Sequence, residues 1–567
     1  MTENSTKWFS GLAVIRNYKP EWFASDFVAG LSVAAVALPI GIAYAQLAGF
    51  PPVIGIYSCI LPLLAYFLFG SSRQLVVNPD AAACAIVAAT VGPLAAGDAN
   101  LYLEMSVLLT CFTGVLLILG GLAGAGVIAN FLSRPILTGY LNGIALTIIV
   151  GQLGALLGFK VAAGGFFSTV FRVVTQIDET NRATVIVGLS LLLLLLLMKY
   201  FLPRLPAPLI AAVIGCGVVY ALQLPALGVS TVGAVPAGFP RPLIPHVDSM
   251  ELWPLIGGAG GIALVSFCSM MTTARGFAAK NQYRINVNQD MFALGVSDLA
   301  SALNRGFVVS GADSRTAVAD SAGGKTQITS VIAAAIMAIV LLFLTKPLAY
   351  VPIAALGAIL ISSALGLFDI ASFREYYRLS KAEFRQSLAA MLGVMTLGVL
   401  PGVLIAVGLA LLKLLRQASR PRDAVLGMVQ TNADRYCAPE DEGGQTIPGL
   451  IIYRFESSIV FFNADYFSDR VRALIAESGD KPKSVLFDAA SVPFLDVSGA
   501  YALDSLRAEL ARQGIVLGIA CARGRFRMML EKSGVAERIG SENLFYTVHA
   551  GAESFQRDGK GIAASHS

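Results

Sequence analysis

Two polar motifs interrupt long apolar runs and hold the residues whose types and spacing could do chemistry. The first occupies 77–84 and the second occupies 310–317. Each contains residues that favour helix starts, placed directly before a short apolar helix. A helix start presents unpaired N–H groups and about half a positive charge, so two facing starts form an anion site without a dedicated ligand side chain. The helix-start residues are Asn78, Pro79 and Asp80 in the first motif, and Gly311, Asp313 and Ser314 in the second.

Arg315, in the second motif, would strengthen such a site. Its guanidinium cannot lose its charge and presents a forked set of donors. The same residue could instead form a structural salt bridge to Asp313, Asp320 or Asp80. The two roles are compatible, because a bridged arginine still supplies positive field.

A third apolar segment supplies a candidate wall for the site. Tyr44 lies five residues after Pro39, and Gly41 between them would allow the backbone of a neighbouring helix to approach closely. Packing is the commoner role of a tyrosine in an apolar helix, and both roles stay open.

The elements that must position these residues are apolar helices. The chain has 567 residues, of which 56% are hydrophobic and only 14% charged, against about a quarter charged in ordinary soluble domains. Because a helix needs about 20 apolar residues to cross a bilayer, we expect a polytopic α-helical membrane protein. We predict spans at 28–46, 52–70, 80–93, 103–124, 134–156, 183–200 and 207–222, and then at 254–276, 287–303, 313–322, 327–345, 350–368, 383–400 and 402–416.

These fourteen spans divide into two sets of seven. The third and the tenth span are too short to cross as full helices, and they hold the same place in each set. Short or interrupted segments at matching positions are typical of a 7+7 inverted repeat with its binding site at the membrane midplane.

Basic residues in short loops predict the orientation. With the N-terminus in the cytoplasm, the cytoplasmic side receives Arg73, Arg134, the pair Lys199 and Arg204, and Lys325, together with clusters at 275–284 and 374–385. An even number of spans then returns the C-terminus to the cytoplasm. The opposite side keeps Lys160, Arg172, Arg182, Arg241 and Lys346.

Asp80 and Asp313 would oppose the charge of an anion bound beside them. Ionisable groups at membrane depth cost roughly 2.5–3.5 kcal/mol on insertion scales and usually face a cavity or a pathway. One interpretation is that each carboxylate only caps its helix. The other is that a carboxylate takes up a proton or holds a cation as the anion enters, which makes both residues candidates for ion coupling.

Several other classes of protein are disfavoured. The 41 Lys and Arg against 36 Asp and Glu give a net charge of +5, too even a balance for nucleic-acid binding. The seven cysteines form no CxxC pair, and the three histidines have no ligand-like spacing. We find no catalytic triad and no phosphate-binding glycine loop. We therefore expect no enzyme, no resident metal and no cofactor.

After Lys413 the sequence becomes that of a soluble domain. Predicted strands alternate with predicted helices, which favours a small cytoplasmic α/β layer of about 110 residues. The strands are Leu450–Tyr453, Ile459–Phe462, Ser484–Phe487 and Val516–Ala520, and the helices are 465–477, 498–512 and 524–534. The resulting segments are a cytoplasmic N-terminus at 1–27, a transmembrane domain at 28–416, a linker at 417–446, the α/β domain at 447–557 and a disordered tail at 558–567.

Several stretches of the chain resemble the signature of the SulP (sulfate permease) family, whose animal relatives include pendrin and prestin. They are 37–45 with 50–58, 288–290 with 293–295, and 314–318 with 323–327. The likeness runs from about residue 20 to 555. The tail resembles the STAS domain of the same family. There Ser498, at a helix start, is similar to the serine that is phosphorylated in anti-sigma-factor antagonists, although it could equally be a plain N-cap.

The resemblance implies a transporter in which core spans 1–4 and 8–11 move against gate spans 5–7 and 12–14, usually as a homodimer. It places the anion between the starts of spans 3 and 10. Those starts correspond here to Pro79–Ala81 and to Gly311–Arg315, which includes Ala312, with Tyr44 contributed by span 1 and Ser269 by span 8.

Two positions depart from the family pattern. Many relatives carry a carboxylate in span 8 that couples a cation, where the alignment places Ser269, and many have glutamine where this chain has Ile40. Either Asp80 and Asp313 take over ion coupling or coupling is absent, and the sequence leaves both open.

The sequence as a whole favours a secondary active transporter of inorganic anions in a bacterial cytoplasmic (inner) membrane. By the resemblance, sulfate is the first expected substrate and bicarbonate the next, coupled to H⁺ or Na⁺. Two alternatives are a C4-dicarboxylate transporter and an uncoupled exchanger or channel. A third is a non-transporting anion sensor that signals through the STAS-like domain to a cytoplasmic protein partner.

Overall fold

A computed structural model describes residues 9–130, 134–159, 161, 165–202, 205–243, 245, 252–429, 432–437, 444–479 and 482–564. Lys160 and Arg204, which entered the orientation argument, lie outside the described residues. So do positions 1–8, 430–431, 438–443 and 565–567 of the predicted N-terminus, linker and tail. The chain forms two compact units, Met1–Ala410 and Leu411–Ser567.

Each of the fourteen predicted spans coincides with a helix. Seven helices in the described part of the chain are long and apolar enough to cross a bilayer, while the count of fourteen crossings stays a prediction. The helices are α1 (Ser10–Arg16), α2 (Phe23–Leu47), α3 (Pro52–Phe69), α4 (Ala81–Ala95), α5 (Ala99–Leu122), α6 (Arg134–Leu157), α7 (Phe166–Thr175), α8 (Arg182–Phe201), α9 (Ala207–Ala221), α10 (Leu252–Lys280), α11 (Val287–Leu303), α12 (Asp313–Ser321), α13 (Ile328–Phe343), α14 (Thr345–Leu348), α15 (Ile353–Leu367), α16 (Ile370–Leu379), α17 (Lys381–Leu397) and α18 (Val399–Ser419).

The helices pack in two groups. In the first, α11 packs on α3 and α5, α13 packs on α2 and α3, and α10 packs on α4 and α5. In the second, α6 packs on α15 and α17, and α8 packs on α9 and α15. α2 also contacts α9 and α15, so the groups meet along α2. The helices named in the first group belong to the set that the resemblance calls core, and α6, α8, α9, α15 and α17 belong to the set that it calls gate. That the two sets move as core and gate stays a prediction.

Two buried carboxylates anchor loops beside the short helices. Asp26 accepts hydrogen bonds from the backbone N–H of Lys325 at 2.6 Å and from the Thr326 hydroxyl at 2.7 Å. Asp290 accepts from the Tyr66 hydroxyl at 2.9 Å and from the backbone N–H of Ser71 at 2.6 Å. A buried carboxylate needs such donors, so Asp26 and Asp290 stabilise the structure that surrounds the short helices.

The second unit is an α/β layer with a six-stranded sheet in the order β4-β3-β5-β6-β7-β8. The strands from β5 to β8 run parallel, while β3 pairs antiparallel with both β4 and β5. The strands are β3 (Asp423–Val429), β4 (Asn432–Cys437), β5 (Leu450–Phe455), β6 (Ser484–Asp488), β7 (Val516–Ala520) and β8 (Leu544–Phe545), and the helices are α19 (Ala464–Glu477), α20 (Val497–Arg512), α21 (Gly524–Lys532), α22 (Val535–Ile539) and α23 (Val548–Ala564).

Three details of this unit differ from the sequence predictions. β3 and β4 lie within the predicted linker 417–446, because Leu426 is buried against Leu450 and Ile452 of the sheet. The predicted strand Ile459–Phe462 is wrong: Ile459 forms a single bridge with Leu495 before the chain turns. α23 continues to Ala564, into the predicted disordered tail, because adding residues to a formed helix is easier than starting one.

Candidate functional site

The two polar motifs meet in the structure. Val77–Asn78 forms β1 and Ser310–Gly311 forms β2, and the two short strands pair antiparallel with Val77 opposite Gly311 and Asn78 opposite Ser310. α4 begins at Ala81 and α12 at Asp313, directly after their strands. The N-termini of both short helices therefore lie beside one strand pair, as the sequence predicts.

Further hydrogen bonds fix this junction. The backbone N–H of Ala312 donates to the Val76 carbonyl at 2.9 Å, and the backbone N–H of Val76 donates to the Thr316 hydroxyl at 3.0 Å. The Ser310 hydroxyl donates to the Ser266 carbonyl of α10 at 2.9 Å. The strand pair is thus held by α10 as well as by its own register, so the helix starts are positioned before any ligand binds.

Arg315 joins the two motifs. Its side chain is 2% exposed, and its Nη2 donates to the Pro79 carbonyl. Its guanidinium carbon lies 5.6 Å from the centroid of the Tyr44 ring, which is within cation–π range. The expected salt bridge to Asp313, Asp320 or Asp80 is not found among the described residues: Asp320 pairs with Lys280 at 2.6 Å, and the buried Arg315 Nε has no partner there. Part of the donor set of the guanidinium, its Nε–H group, therefore stays available to a ligand.

The two aspartates differ in environment. Asp80 occupies the N-cap position of α4, but its side chain accepts no capping hydrogen bond, and its buried Oδ2 has no partner among the described residues. Asp313 is the first residue of α12, where Ala312 holds the N-cap position, and its Oδ1 accepts from the Thr273 hydroxyl of α10. Asp80 thus stands at the cap position next to the first N–H groups of α4, whereas Asp313 lies one residue past the cap of α12.

A cavity of about 490 Å³ opens on this junction. Its lining includes residues of α2 and α12 from the first group of helices and residues of α8, α9 and α15 from the second. Six of the predicted site residues line it: Tyr44, Asp80, Ala312, Asp313, Ser314 and Arg315.

The other three predicted site residues are not among the described residues that line the cavity. Pro79 contributes the carbonyl that Arg315 contacts, and Ala81, 2% exposed, begins α4. Ser269 is buried in α10, and its carbonyl accepts from the Thr273 hydroxyl at 3.4 Å. Ser269 is therefore connected to the junction through Thr273, one turn further along α10.

Sequence reasoning missed four polar residues near the site. Thr273 contacts Asp313, and Lys199, Ser362 and Ser363 line the cavity from the second group of helices. Lys199 entered only as a loop charge, although it lies within the last turn of α8. Its place inside an otherwise apolar predicted span was the signal that could have singled it out.

Ser498, the regulatory candidate, lies in the first turn of α20. The N-cap of that helix is Asp496, whose Oδ1 accepts from the backbone N–H of Gly499 at 2.7 Å and whose Oδ2 accepts from Phe461 at 2.9 Å. The interpretation of Ser498 as the N-cap is therefore wrong. Its side chain is exposed at the helix start, a position that suits a phosphate.

Comparison with known families identifies the first unit. The model of the sulfate permease family matches residues 23–390. The chain belongs to this family. Residues 444–551 match the STAS domain, so the second unit is a STAS domain and both resemblances are confirmed.

Curated relatives of this sulfate permease family member match along nearly all of its length. A probable sulfate transporter of Mycobacterium tuberculosis (strain H37Rv) is 38% identical over 556 residues, which cover 98% of this chain and 99% of the relative. Sulfate transporter 3.2 of Arabidopsis thaliana is 30% identical, with 94% and 86% covered.

Solved structures share the fold. Murine Solute Carrier 26 family member A9 superposes with a TM-score of 0.91 at 24% identity, over 98% of this chain and 95% of that one. The transmembrane domain of a cyanobacterium bicarbonate transporter superposes with a TM-score of 0.62 at 22% identity, over 69% of this chain and 98% of that one. The family member is an integral membrane transporter and not an enzyme.

Proposed function

We propose that this sulfate permease family member is a secondary active transporter of inorganic anions, with sulfate as its main substrate. The observation that carries the proposal is the pairing of β1 with β2, which brings two helix N-termini and the Arg315 guanidinium to one cavity. Backbone N–H groups at helix starts and a buried guanidinium are the donors that an oxyanion requires.

The choice of sulfate rests on relatives. Two relatives, at 38% and 30% identity over most of the chain, are named as sulfate transporters. Bicarbonate is the second candidate, since a bicarbonate transporter shares the membrane fold. Helix N-termini accept many oxyanions, so the cavity itself is also compatible with C4-dicarboxylates.

The position of the cavity supports alternating access. It lies between core helices α2 and α12, with Asp80 at the start of α4, and gate helices α8, α9 and α15. Sliding of one group past the other would therefore change which side of the membrane reaches the anion. Lys199 and Leu205, at the facing ends of α8 and α9, also line it. In the predicted orientation these ends are cytoplasmic, and the cavity would then open inward.

Asp80 and Asp313 are the proposed coupling residues. Both line the cavity beside Arg315, where an ionised carboxylate repels the incoming anion. Uptake of a proton, or binding of Na⁺, removes that repulsion as the anion binds, and this links the two fluxes. We further place the protein in the bacterial inner membrane as a homodimer with both termini cytoplasmic, and its STAS domain in contact with a cytoplasmic protein.

Counterflow in proteoliposomes tests the substrate and the coupling together. Vesicles are loaded with sulfate, bicarbonate or succinate, and tracer uptake is followed under imposed H⁺ and Na⁺ gradients. We expect saturable, concentrative sulfate uptake that responds to one of the two gradients. Flux that ignores both gradients would indicate an exchanger or channel, and binding without flux would indicate a sensor.

The coupling assignment is tested by Asp80→Asn and Asp313→Asn, with Asp320→Asn as the matched control because Asp320 pairs with Lys280 and does not line this cavity. We expect one or both cavity variants to lose the gradient dependence while the control keeps it. If both variants retain the wild-type dependence on pH and Na⁺, these residues do not couple transport.

A further inference from the structure

The gate side of the cavity carries a cation that the proposed anion site does not use. Lys199, in the last turn of α8, is exposed and lines the cavity. It forms no ion pair within 4 Å in the part of the chain that the structure describes. Its Nζ lies over Gly366 of α15, 3.3 Å from where a Cβ on that residue would stand. The absence of a side chain at Gly366 thus leaves room for the ammonium group.

Two hydroxyls face the same space. Ser362 and Ser363 of α15 line the cavity, and neither has a hydrogen-bond partner among the described residues. A serine in a helix usually returns its hydroxyl to a carbonyl of the preceding turn, as Thr110 does here. Hydroxyls left without that bond are available to a ligand, so α8 and α15 present one cation and two donors opposite the junction of α4 and α12.

The charges that line the cavity favour a divalent ligand. Arg315 and Lys199 contribute two positive charges, and Asp80 and Asp313 contribute two negative charges when ionised. Without Lys199, neutralising both carboxylates leaves one positive charge against a dianion. With Lys199 it leaves two, which balance a sulfate ion.

We propose that Lys199, with Ser362 and Ser363, forms a second anion-binding site on the gate side of the cavity. This site selects divalent oxyanions over monovalent ones. This inference rests on the proposed function, since it names the ligand class of the same cavity. An anion that moves from this site to the junction leaves the positive charge of Lys199 for that of Arg315, since both line the same cavity.

The test uses Lys199→Met in the full-length protein, with sulfate as the divalent probe and nitrate as the monovalent competitor. Coulomb energy scales with the charge of the ligand, so the factor by which the affinity for nitrate falls is squared for sulfate. We expect apparent affinity to fall about 3-fold for nitrate and about 10-fold for sulfate. Lys346→Met is the matched control, because Lys346 is an exposed lysine of α14 that does not line the cavity.

Chemical rescue separates charge from structure. Lys199→Cys is treated with 2-aminoethyl methanethiosulfonate, which restores an amine, or with methyl methanethiosulfonate, which does not, and identically treated wild-type protein controls for the native cysteines. We expect sulfate affinity to recover only with the reagent that restores an amine. We expect Lys199→Arg to retain sulfate affinity.

Equal losses for sulfate and nitrate, or equal recovery with both reagents, would mean that Lys199 only offsets the partial negative charge of the helix C-termini, and would overturn the proposal. Sulfate uptake by the wild-type protein tests the proposed function separately. If wild-type protein takes up no sulfate, the proposed function fails and this inference fails with it.

Discussion

Arg315 bridges two interrupted helices and keeps part of its donor set free. One nitrogen bonds the Pro79 carbonyl, the Tyr44 ring covers one side, and Nε remains without a partner in the described structure. A lysine would keep the charge but could not both bond that carbonyl and reach a ligand. The geometry at this position therefore matters as much as the charge.

We predict that Arg315→Lys weakens sulfate binding about 10-fold and Arg315→Ala about 100-fold, since a hydrogen bond to a charged group contributes roughly 1.5–3 kcal/mol. Equilibrium binding to the purified protein measures both. Arg182→Lys, at an exposed arginine outside the cavity, controls for the exchange itself. Binding by Arg315→Ala at the wild-type level would exclude the guanidinium from the anion site.

Local chemistry predicted the residues at the helix starts but not the partners that other helices bring to them. Asp80, Asp313 and Arg315 stand out because polar groups interrupt an apolar run. Thr273 gives no such signal, because its hydroxyl could equally donate a hydrogen bond to a carbonyl of its own helix. Only the packing of α10 brings this hydroxyl to Asp313. The spacing of residues alone could not show whether Arg315 forms a salt bridge. It also could not show that Asp496 is the N-cap of α20.

Among the elements, the strand pair depends on close approach of β2 to α10. A Cβ on Gly311 would stand 2.6 Å from Cγ and 2.9 Å from Cα of Met270, a residue that is fully buried. The backbone of α10 or of β2 would have to move. This requirement, rather than an unusual backbone angle, explains the glycine.

We predict that Gly311→Ala destabilises the protein by about 1–3 kcal/mol, as overpacking does, and lowers sulfate uptake by displacing the start of α12. Thermal unfolding in detergent and proteoliposome uptake measure the two effects. Gly92→Ala, in α4, is the control, because a Cβ there would meet nothing within 4 Å. Equal behaviour of the two variants would contradict the packing argument.

In the STAS domain, the start of α20 separates the capping residue from the candidate regulatory one. We predict that Asp496→Ala lowers the free energy of unfolding by about 1 kcal/mol, since Asp496 caps the helix, whereas Ser498→Ala changes it by less than about 0.5 kcal/mol. Urea unfolding of the STAS domain measures both variants. A larger loss for Ser498→Ala would return the N-cap role to the serine.

The extent to which elements could be predicted follows from their length and polarity. Long apolar runs predicted the spans because length alone distinguishes them. The two amphipathic helices α7 and α16 were missed, since each has only 10 residues and mixes basic with aromatic side chains in what reads as a loop. β3 was missed because a strand at the border of a domain has no local signal of the sheet that it will join.

At the scale of the whole molecule, all the chemistry of the cavity belongs to one unit. Its lining runs from Val36 to Leu367, whereas the second unit begins at Leu411 and its sheet at Asp423. Every lining residue that the structure describes therefore belongs to the first unit. We therefore expect the STAS domain to act on the rate or the regulation of transport.

We predict that a chain ending after Ser419, at the end of α18, binds sulfate with a dissociation constant within about twofold of the full-length value, a difference of about 0.4 kcal/mol. Equilibrium binding on both proteins measures this, and we expect Arg315→Ala to weaken binding about 100-fold in the shortened chain, as in the full chain. A loss of tenfold or more in a shortened protein that still elutes as a folded species would mean that the STAS domain sets the conformation of the cavity. Because every described lining residue stays in the shortened chain, we expect such a loss to arise from a shift between conformations, and the ratio of uptake rate to affinity in the two proteins would reveal it.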